Sequence, residues 1–106
     1  MKLQKLRSLF LNGNGLTELP SDFGSLKALK ELHLENNKLR SLPESFGDLT
    51  ELRKLSLERN PIRRLPDTCS NIQQLEELCI DAEKLEEWPS DHWRNLYFEI
   101  QFMAGT

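Results

Sequence analysis

Asn14, Asn37 and Asn60 stand 23 residues apart, each inside the same phrase: LRSLFLNGNGLTELP, LKELHLENNKLRSLP and LRKLSLERNPIRRLP. The period recurs in independent columns. Leu9, Leu32, Leu55 and Leu78 form one; Leu11, Leu34, Leu57 and Ile80 form the next; Leu16, Leu39, Ile62 and Leu85 follow, then Leu19, Leu42, Leu65 and Trp88, then Pro20, Pro43, Pro66 and Pro89. A fixed period of about 20 to 50 residues means stacked supersecondary units, none of which buries a core alone, so the function of such a chain is sought on a surface.

One repeat can be read from elementary geometry. In Leu32-His33-Leu34 the alternation puts both leucines on one face of a short strand and His33 on the other. Stacking that strand at about 4.8 Å makes a parallel sheet whose inner face is a continuous leucine column. Parallel strands need crossover connections, which the rest of each repeat supplies. An asparagine amide has two donor hydrogens and an acceptor, so in a tight turn it can satisfy loop backbone groups that burial would leave unpaired. Asn14, Asn37 and Asn60 are therefore expected to form a ladder. Pro43 fixes φ just after the inward Leu42, Phe46, Leu49 and Leu52 close the core on the return segment, and Gly47 permits a close approach there.

The pattern LxxLxLxxNxLxxLPxxFGxLxxL resembles the leucine-rich repeat over roughly residues 3 to 89, and its Leu-Pro and Phe-Gly positions are similar to the 23-residue intracellular type of Ras-group and Ras-suppressor relatives. The resemblance implies an α/β fold: a right-handed solenoid with a parallel sheet on the concave side and short helical or irregular segments on the convex side. It implies a class of function, protein binding in intracellular signalling, and not a chemistry.

Composition narrows the rest. A net charge of −3 with 29% charged residues argues against a nucleic-acid footprint, which is clustered and basic. No run of 18 apolar residues exists, so no membrane span is expected, and the apolar stretch in the first fifteen residues is too short for a signal peptide. Cys69 and Cys79 occupy repeat slots and not paired flanking caps, and no Asn-x-Ser/Thr sequon is present. These point to a reducing, cytoplasmic setting.

The chain reads as a single repeat domain over residues 1–106: a partial repeat over 1–6, four repeats over 7–89, and a C-terminal cap over 90–106. Leu3 and Leu6 fill the slots of Leu26 and Leu29 one period earlier, so the array is expected to be an excerpt or an abbreviated one, or to be covered at that edge. In the fourth repeat Glu83 takes the asparagine slot, Trp88 the leucine slot and His92 the phenylalanine slot. Residues 97–102 alternate in the manner of a last strand, with Phe98, Ile100 and Phe102 on one face. Trp88, Trp93, Tyr97 and Phe102 are expected to plug the stack.

A binding site is expected where side chains between the core leucines project from the sheet. One column carries Ser8, Glu31, Lys54 and Glu77; the next Phe10, His33, Ser56 and Cys79; then Asn12, Glu35, Glu58 and Asp81; then Gly13, Asn36, Arg59 and Ala82. Three acids in succession at neighbouring-strand distance repel, by tenths of a kcal/mol up to about 1 kcal/mol each. They form a strip suited to a basic segment of a protein partner, against the plainer reading of a solvated charged face. A smaller basic rim, Lys38, Arg40, Arg63 and Arg64, follows the asparagine ladder and suits an acidic peptide or a phosphate group.

Three constellations invite chemistry and are outweighed. His33, Ser56 and Cys79 share a column, but His33 and Cys79 are two strands, about 10 Å, apart, with no oxyanion hole on an open face. Cys69 takes an inward slot while Cys79 faces outward, so the two cannot share a zinc ion. Cys79-Ile80-Asp81 is similar to the Cys-x-Asp triplet of bacterial effector ubiquitin ligases, whose cysteine belongs to a separate helical domain that does not fit in the residues left here. The expectation is a non-catalytic protein-interaction module, monomeric, without cofactor or metal, binding through Phe10, His33, Glu35, Ser56, Glu58, Arg59, Cys79 and Asp81. The alternative is the repeat region of a larger enzyme or effector such as a leucine-rich repeat ubiquitin ligase.

Overall fold

The structure, a computed structural model, describes residues 4–104. Four three-residue strands, β1 (Ser8–Phe10), β2 (Glu31–His33), β3 (Lys54–Ser56) and β4 (Glu77–Cys79), form one open parallel sheet in chain order. The register keeps the sequence columns aligned: Leu9 faces Leu32, Leu32 faces Leu55, and Leu55 faces Leu78. Backbone pairing continues past the strands, with the Leu11, Leu34 and Leu57 N–H groups donating to the carbonyls of His33, Ser56 and Cys79 at 2.7–2.9 Å. The array measures 43 × 27 × 22 Å.

Proline starts each return segment as expected. Pro43 and Pro66 hold extended backbone (ψ 155 and 146) immediately before the 3₁₀ turns Glu44–Asp48 and Asp67–Asn71, and a shorter turn spans Phe23–Ser25. Phe23 and Phe46 stack at 6.0 Å between ring centroids, and the smaller Cys69 continues that column. Gly24 and Gly47 are fixed by close approach: a methyl at Gly24 would overlap the Ser45 carbonyl, and one at Gly47 the Thr68 carbonyl and Cβ. Leu29, Leu32, Leu34, Leu52, Leu55 and Leu57 are fully buried. At about 1.5–3 kcal/mol per buried leucine, these columns are the main favourable contribution to folding. Leu6, Leu9, Leu11 and Leu16 are only partly buried against the same core, and Leu3 lies outside the described residues.

The asparagine ladder is present and its bonds explain it. The Asn37 amide donates to the carbonyls of Leu11 (3.0 Å) and Leu34 (2.9 Å), while its oxygen accepts the Asn14 and Leu16 N–H groups, both at 3.0 Å. Asn60 donates to Leu34 and Leu57 and accepts the Leu39 N–H. Each buried amide thus joins two repeats. The turn that carries it inward passes through left-handed backbone at Gly13 (φ 69), Asn36 (φ 61) and Arg59 (φ 61).

The expected final strand over 97–102 is a helix, α1 (Asp91–Ala104). Two periods compete in that stretch, and the 3.6-residue one wins. Ser90 caps the helix, its hydroxyl accepting the Trp93 N–H at 3.3 Å, and Asp91 sits in the first turn. Trp93, Leu96 and Tyr97, at the i, i+3, i+4 spacing of one helix face, pack on the core, whereas Phe98 is left half exposed. Trp93, not His92, closes the Phe23–Phe46–Cys69 column. It is fully buried, and its indole N–H donates to the Ile72 carbonyl at 3.2 Å, while His92 Nε2 donates to the Leu75 carbonyl at 2.9 Å. In the earlier repeats the equivalent carbonyls of Leu26 and Leu49 are taken by the N–H groups of Leu29 and Leu52. Of the expected aromatic plug, Trp88 and Tyr97 contact each other at 5.1 Å and Trp93 fills the end, while the Phe102 side chain lies outside what is described.

Candidate functional site

The strand face brings the sequence columns together as the register dictates: Phe10 beside His33, His33 beside Ser56, Ser56 beside Cys79. Phe10 is 60% exposed, and its ring lies flat on the His33 imidazole, 4.4 Å between centroids and 7° between planes. His33 is held from below by Glu31, whose Oε2 accepts from Nε2 at 2.7 Å, while Glu35 Oε1 is 3.7 Å from Nδ1, beyond hydrogen-bond length. The His33 hydrogen bond holds the Glu31 carboxyl below its ordinary range. Glu31 was not among the expected site residues, though period two places it on the same face as His33 and Glu35.

The acidic column is real and electrostatically tense. Glu35 Oε1 and Glu58 Oε2 are each buried with no hydrogen-bond donor among the described residues. Burial pushes the Glu58 carboxyl up, and the negative charges of Glu35 and Asp81 on either side add to the shift. Asp81 differs from its column neighbours. Gly13 and Asn36 donate their N–H groups to the backbone carbonyls of Glu35 and Glu58, both at 3.0 Å, but the Arg59 N–H goes to the Asp81 side chain, Oδ2, at 2.7 Å. Asp81 is therefore partly a structural cap for the left-handed Arg59. The Arg59 guanidinium reaches back to the Asn36 amide oxygen at 3.5 Å.

Burial, then the negative charges of Glu58, Glu77 and Glu35, push the Cys79 thiol up. This is opposite to the shift an attacking cysteine needs. Cys69 is buried in the core with its thiol pushed up to about 12, facing away from Cys79 as the pattern predicts. Ser56, between His33 and Cys79 in the register, is half-buried.

The basic rim is regrouped by the structure. Arg64 leaves it, its Nε lying 3.5 Å from Glu86 Oε2. Lys84 joins instead: Arg40, Pro61, Arg63 and Lys84 line a hollow of about 250 Å³, adjoining one of about 480 Å³ lined by Thr17, Lys38, Arg40 and Pro61. The period itself marks Lys84, which stands one repeat after Pro61 and two after Lys38.

The sequence profile describing a leucine-rich repeat region matches residues 1–95. The chain belongs to the leucine-rich repeat family. A leucine-rich repeat protein of Leptospira interrogans is 41% identical, with a TM-score of 0.69 over 71% of this chain and 19% of that one. The plant peptide hormone receptor RGFR1, solved in complex with RGF2, is 27% identical, with a TM-score of 0.56 over 74% of this chain and 17% of the receptor. The chain thus spans about a fifth of the length of these solved relatives. No curated relative matches. Among the described residues no helix is long and apolar enough to cross a membrane.

Proposed function

We propose that this leucine-rich repeat array is a non-catalytic protein-interaction module that receives a basic segment of a partner protein along its strand face, acting as a monomeric cytoplasmic adaptor. The observation that carries the reading is the pair of carboxylate oxygens on neighbouring repeats, Glu35 Oε1 and Glu58 Oε2, buried without a donor. An unpaired buried acceptor costs about 1–3 kcal/mol, more when charged, so a donor brought by a partner is favoured there. An arginine is the best fit, because a planar guanidinium supplies five N–H groups and stacks on aromatic faces such as exposed Phe10. His33, Ser56, Arg59 and Cys79 frame the same face. The plant receptor in complex with RGF2 is a related fold that holds a partner, which supports the class of function and nothing narrower.

The test is capture of arginine-rich peptides by wild type and by Glu35→Gln/Glu58→Gln, with circular dichroism confirming the fold. The double variant is expected to lose at least about tenfold in affinity, corresponding to about 1.4 kcal/mol. Unchanged capture by a folded variant sinks the reading. Asp81 is left out of this variant because its carboxylate holds the Arg59 backbone.

A further inference from the structure

On the flank that follows the asparagine ladder, each repeat presents two residues two apart in sequence, hence on one side of an extended segment. These are Lys38 and Arg40, then Pro61 and Arg63, then Lys84 and Glu86, each pair one 23-residue period from the next. Backbone hydrogen bonds fix the three segments side by side, the Arg63 N–H donating to the Arg40 carbonyl at 3.0 Å and the Glu86 N–H to the Arg63 carbonyl at 3.1 Å. The result is a grid of six positions holding four cations, one proline and one acid. That acid, Glu86, is engaged by Arg64 from outside the grid at 3.5 Å. Lys38, Arg40, Arg63 and Lys84 are all exposed and have no ion pair or hydrogen bond to their side chains among the described residues. Pro61 at the centre is short and rigid, which leaves the hollow of about 250 Å³ that Arg40, Arg63 and Lys84 surround. Asp81 and Glu83 do not line it; they line the adjoining hollow, which shares Pro61 and Lys84 with it.

We propose that this grid is a second docking site, independent of the strand face, for a phosphorylated serine or threonine on a segment of a partner protein. Two arginines on adjacent segments about 5 Å apart match a single tetrahedral dianion, each fork taking two of its three terminal oxygens and the two forks sharing one. A phosphomonoester carries about −1.5 to −2 charges and three acceptor oxygens at neutral pH, enough to engage both forks and the two flanking ammonium groups. The small hollow concentrates the cations on one group, where a row of carboxylates would need them strung out. A nucleic acid would need a basic track continuing beyond three repeats, and the net charge of −3 with an acidic column on the neighbouring face opposes a long polyanion.

The experiment is a low-salt NMR titration of the whole chain with an acetylated, amidated alanine pentapeptide bearing a central phosphoserine. Parallel titrations use its unphosphorylated counterpart, inorganic phosphate and a short oligothymidylate. Shifts are expected at the amides of Arg40, Ile62, Arg63 and Lys84 with the phosphopeptide, at least tenfold weaker with the other three probes. Arg40→Gln/Arg63→Gln should abolish them, whereas Lys27→Gln beside the Phe23–Ser25 turn and Glu35→Gln/Glu58→Gln on the strand face should leave them in place, so the outcome is separate from that of the strand-face reading. No shifts at millimolar phosphopeptide overturn the proposal. So do equal binding of the unphosphorylated peptide, inorganic phosphate binding as well as the phosphopeptide (a bare ion site), tighter binding of the oligothymidylate, or shifts that survive in the arginine double variant.

Discussion

The Asp81 carboxylate accepts the backbone N–H of Arg59 at 2.7 Å, one repeat away, taking over at the fourth strand the role that backbone carbonyls of Glu35 and Glu58 play for Gly13 and Asn36. The contact resembles a cap: a side-chain oxygen satisfies a donor that the regular ladder no longer reaches. Asp81→Ala is therefore expected to cost about 1 kcal/mol in urea unfolding, the usual scale for losing such a cap, while Asp81→Asn, which keeps an oxygen acceptor, should cost less than half of that. Equal losses for the two variants would mean that charge, not the hydrogen bond, is what matters.

Arg59 itself occupies left-handed backbone at φ 61, where the preceding repeats place Gly13 and Asn36. A non-glycine residue there costs about 1–2 kcal/mol from the contact between Cβ and the carbonyl, offset in part by the chain entropy glycine adds to the unfolded state. Arg59→Gly should raise stability by about 0.5–1 kcal/mol in the same unfolding experiment. It should also weaken capture of any partner that uses the guanidinium, which separates what the residue does for the fold from what it does for binding.

Within the asparagine ladder the two ends differ in cost. Asn60 is buried, and removing its amide strands the Leu57 carbonyl and the Leu39 N–H without partners. At about 1–3 kcal/mol per buried unsatisfied group, Asn60→Ala should lose about 3–5 kcal/mol. Asn14 makes the same kind of contact to Leu11 and Asn12 but is exposed, and water can replace it. Asn14→Ala should cost under about 1 kcal/mol, and chemical denaturation of the pair gives the comparison directly.

The C-terminal seal rests on Trp93, and its two contributions separate by substitution. Trp93→Phe keeps most of the apolar volume but leaves the buried Ile72 carbonyl without the indole donor, a loss of about 1–2 kcal/mol. Trp93→Ala adds a cavity under α1 and should lose about 3–5 kcal/mol. Hydrogen exchange should show the amides of Leu78 and Cys79 losing protection before those of Leu32 and His33 in the alanine variant, since α1 lies against β4.

Sheet, register, asparagine ladder and leucine columns were legible because each follows from a local rule repeated at a fixed spacing, so one error in reading would have to recur in every repeat. The cap is ambiguous in sequence for the opposite reason. Residues 97–102 occur once, and their alternation of Phe98 with Ile100 and Phe102 matched a strand as well as Trp93, Leu96 and Tyr97 match a helix. What separates them is three-dimensional: the Ser90 hydroxyl at the Trp93 N–H and the packing of Trp93, Leu96 and Tyr97 on the core. The strand face was legible column by column, but the links along a strand or between side chain and backbone were not. Glu31 holding His33 and Asp81 holding Arg59 depend on rotamers that spacing does not specify.

Glu58 offers the sharpest pH test. Burial and the flanking charges of Glu35 and Asp81 raise its folded-state pKa above the unfolded value near 4.5. The native state therefore binds the proton more tightly than the unfolded one, so ionisation penalises the fold. That penalty is absent below the unfolded pKa, enters as pH rises through the interval between the two values, and is complete above the folded one. Removing the charge with Glu58→Gln should stabilise the chain at pH 7 by about 0.2–1 kcal/mol, the range for like charges on adjacent strands, equivalent to a few degrees in Tm. The gain should vanish near pH 3.5, where wild-type Glu58 is already protonated. A partner arginine seated on the strand face would reverse the sign, since the ionised carboxylate then gains a counter-charge. Thermal melts of wild type and Glu58→Gln at both pH values, with and without an arginine-rich peptide, should show the variant more stable alone at pH 7 and less stable in the peptide's presence. A peptide that stabilises both proteins equally would place its binding elsewhere on the molecule.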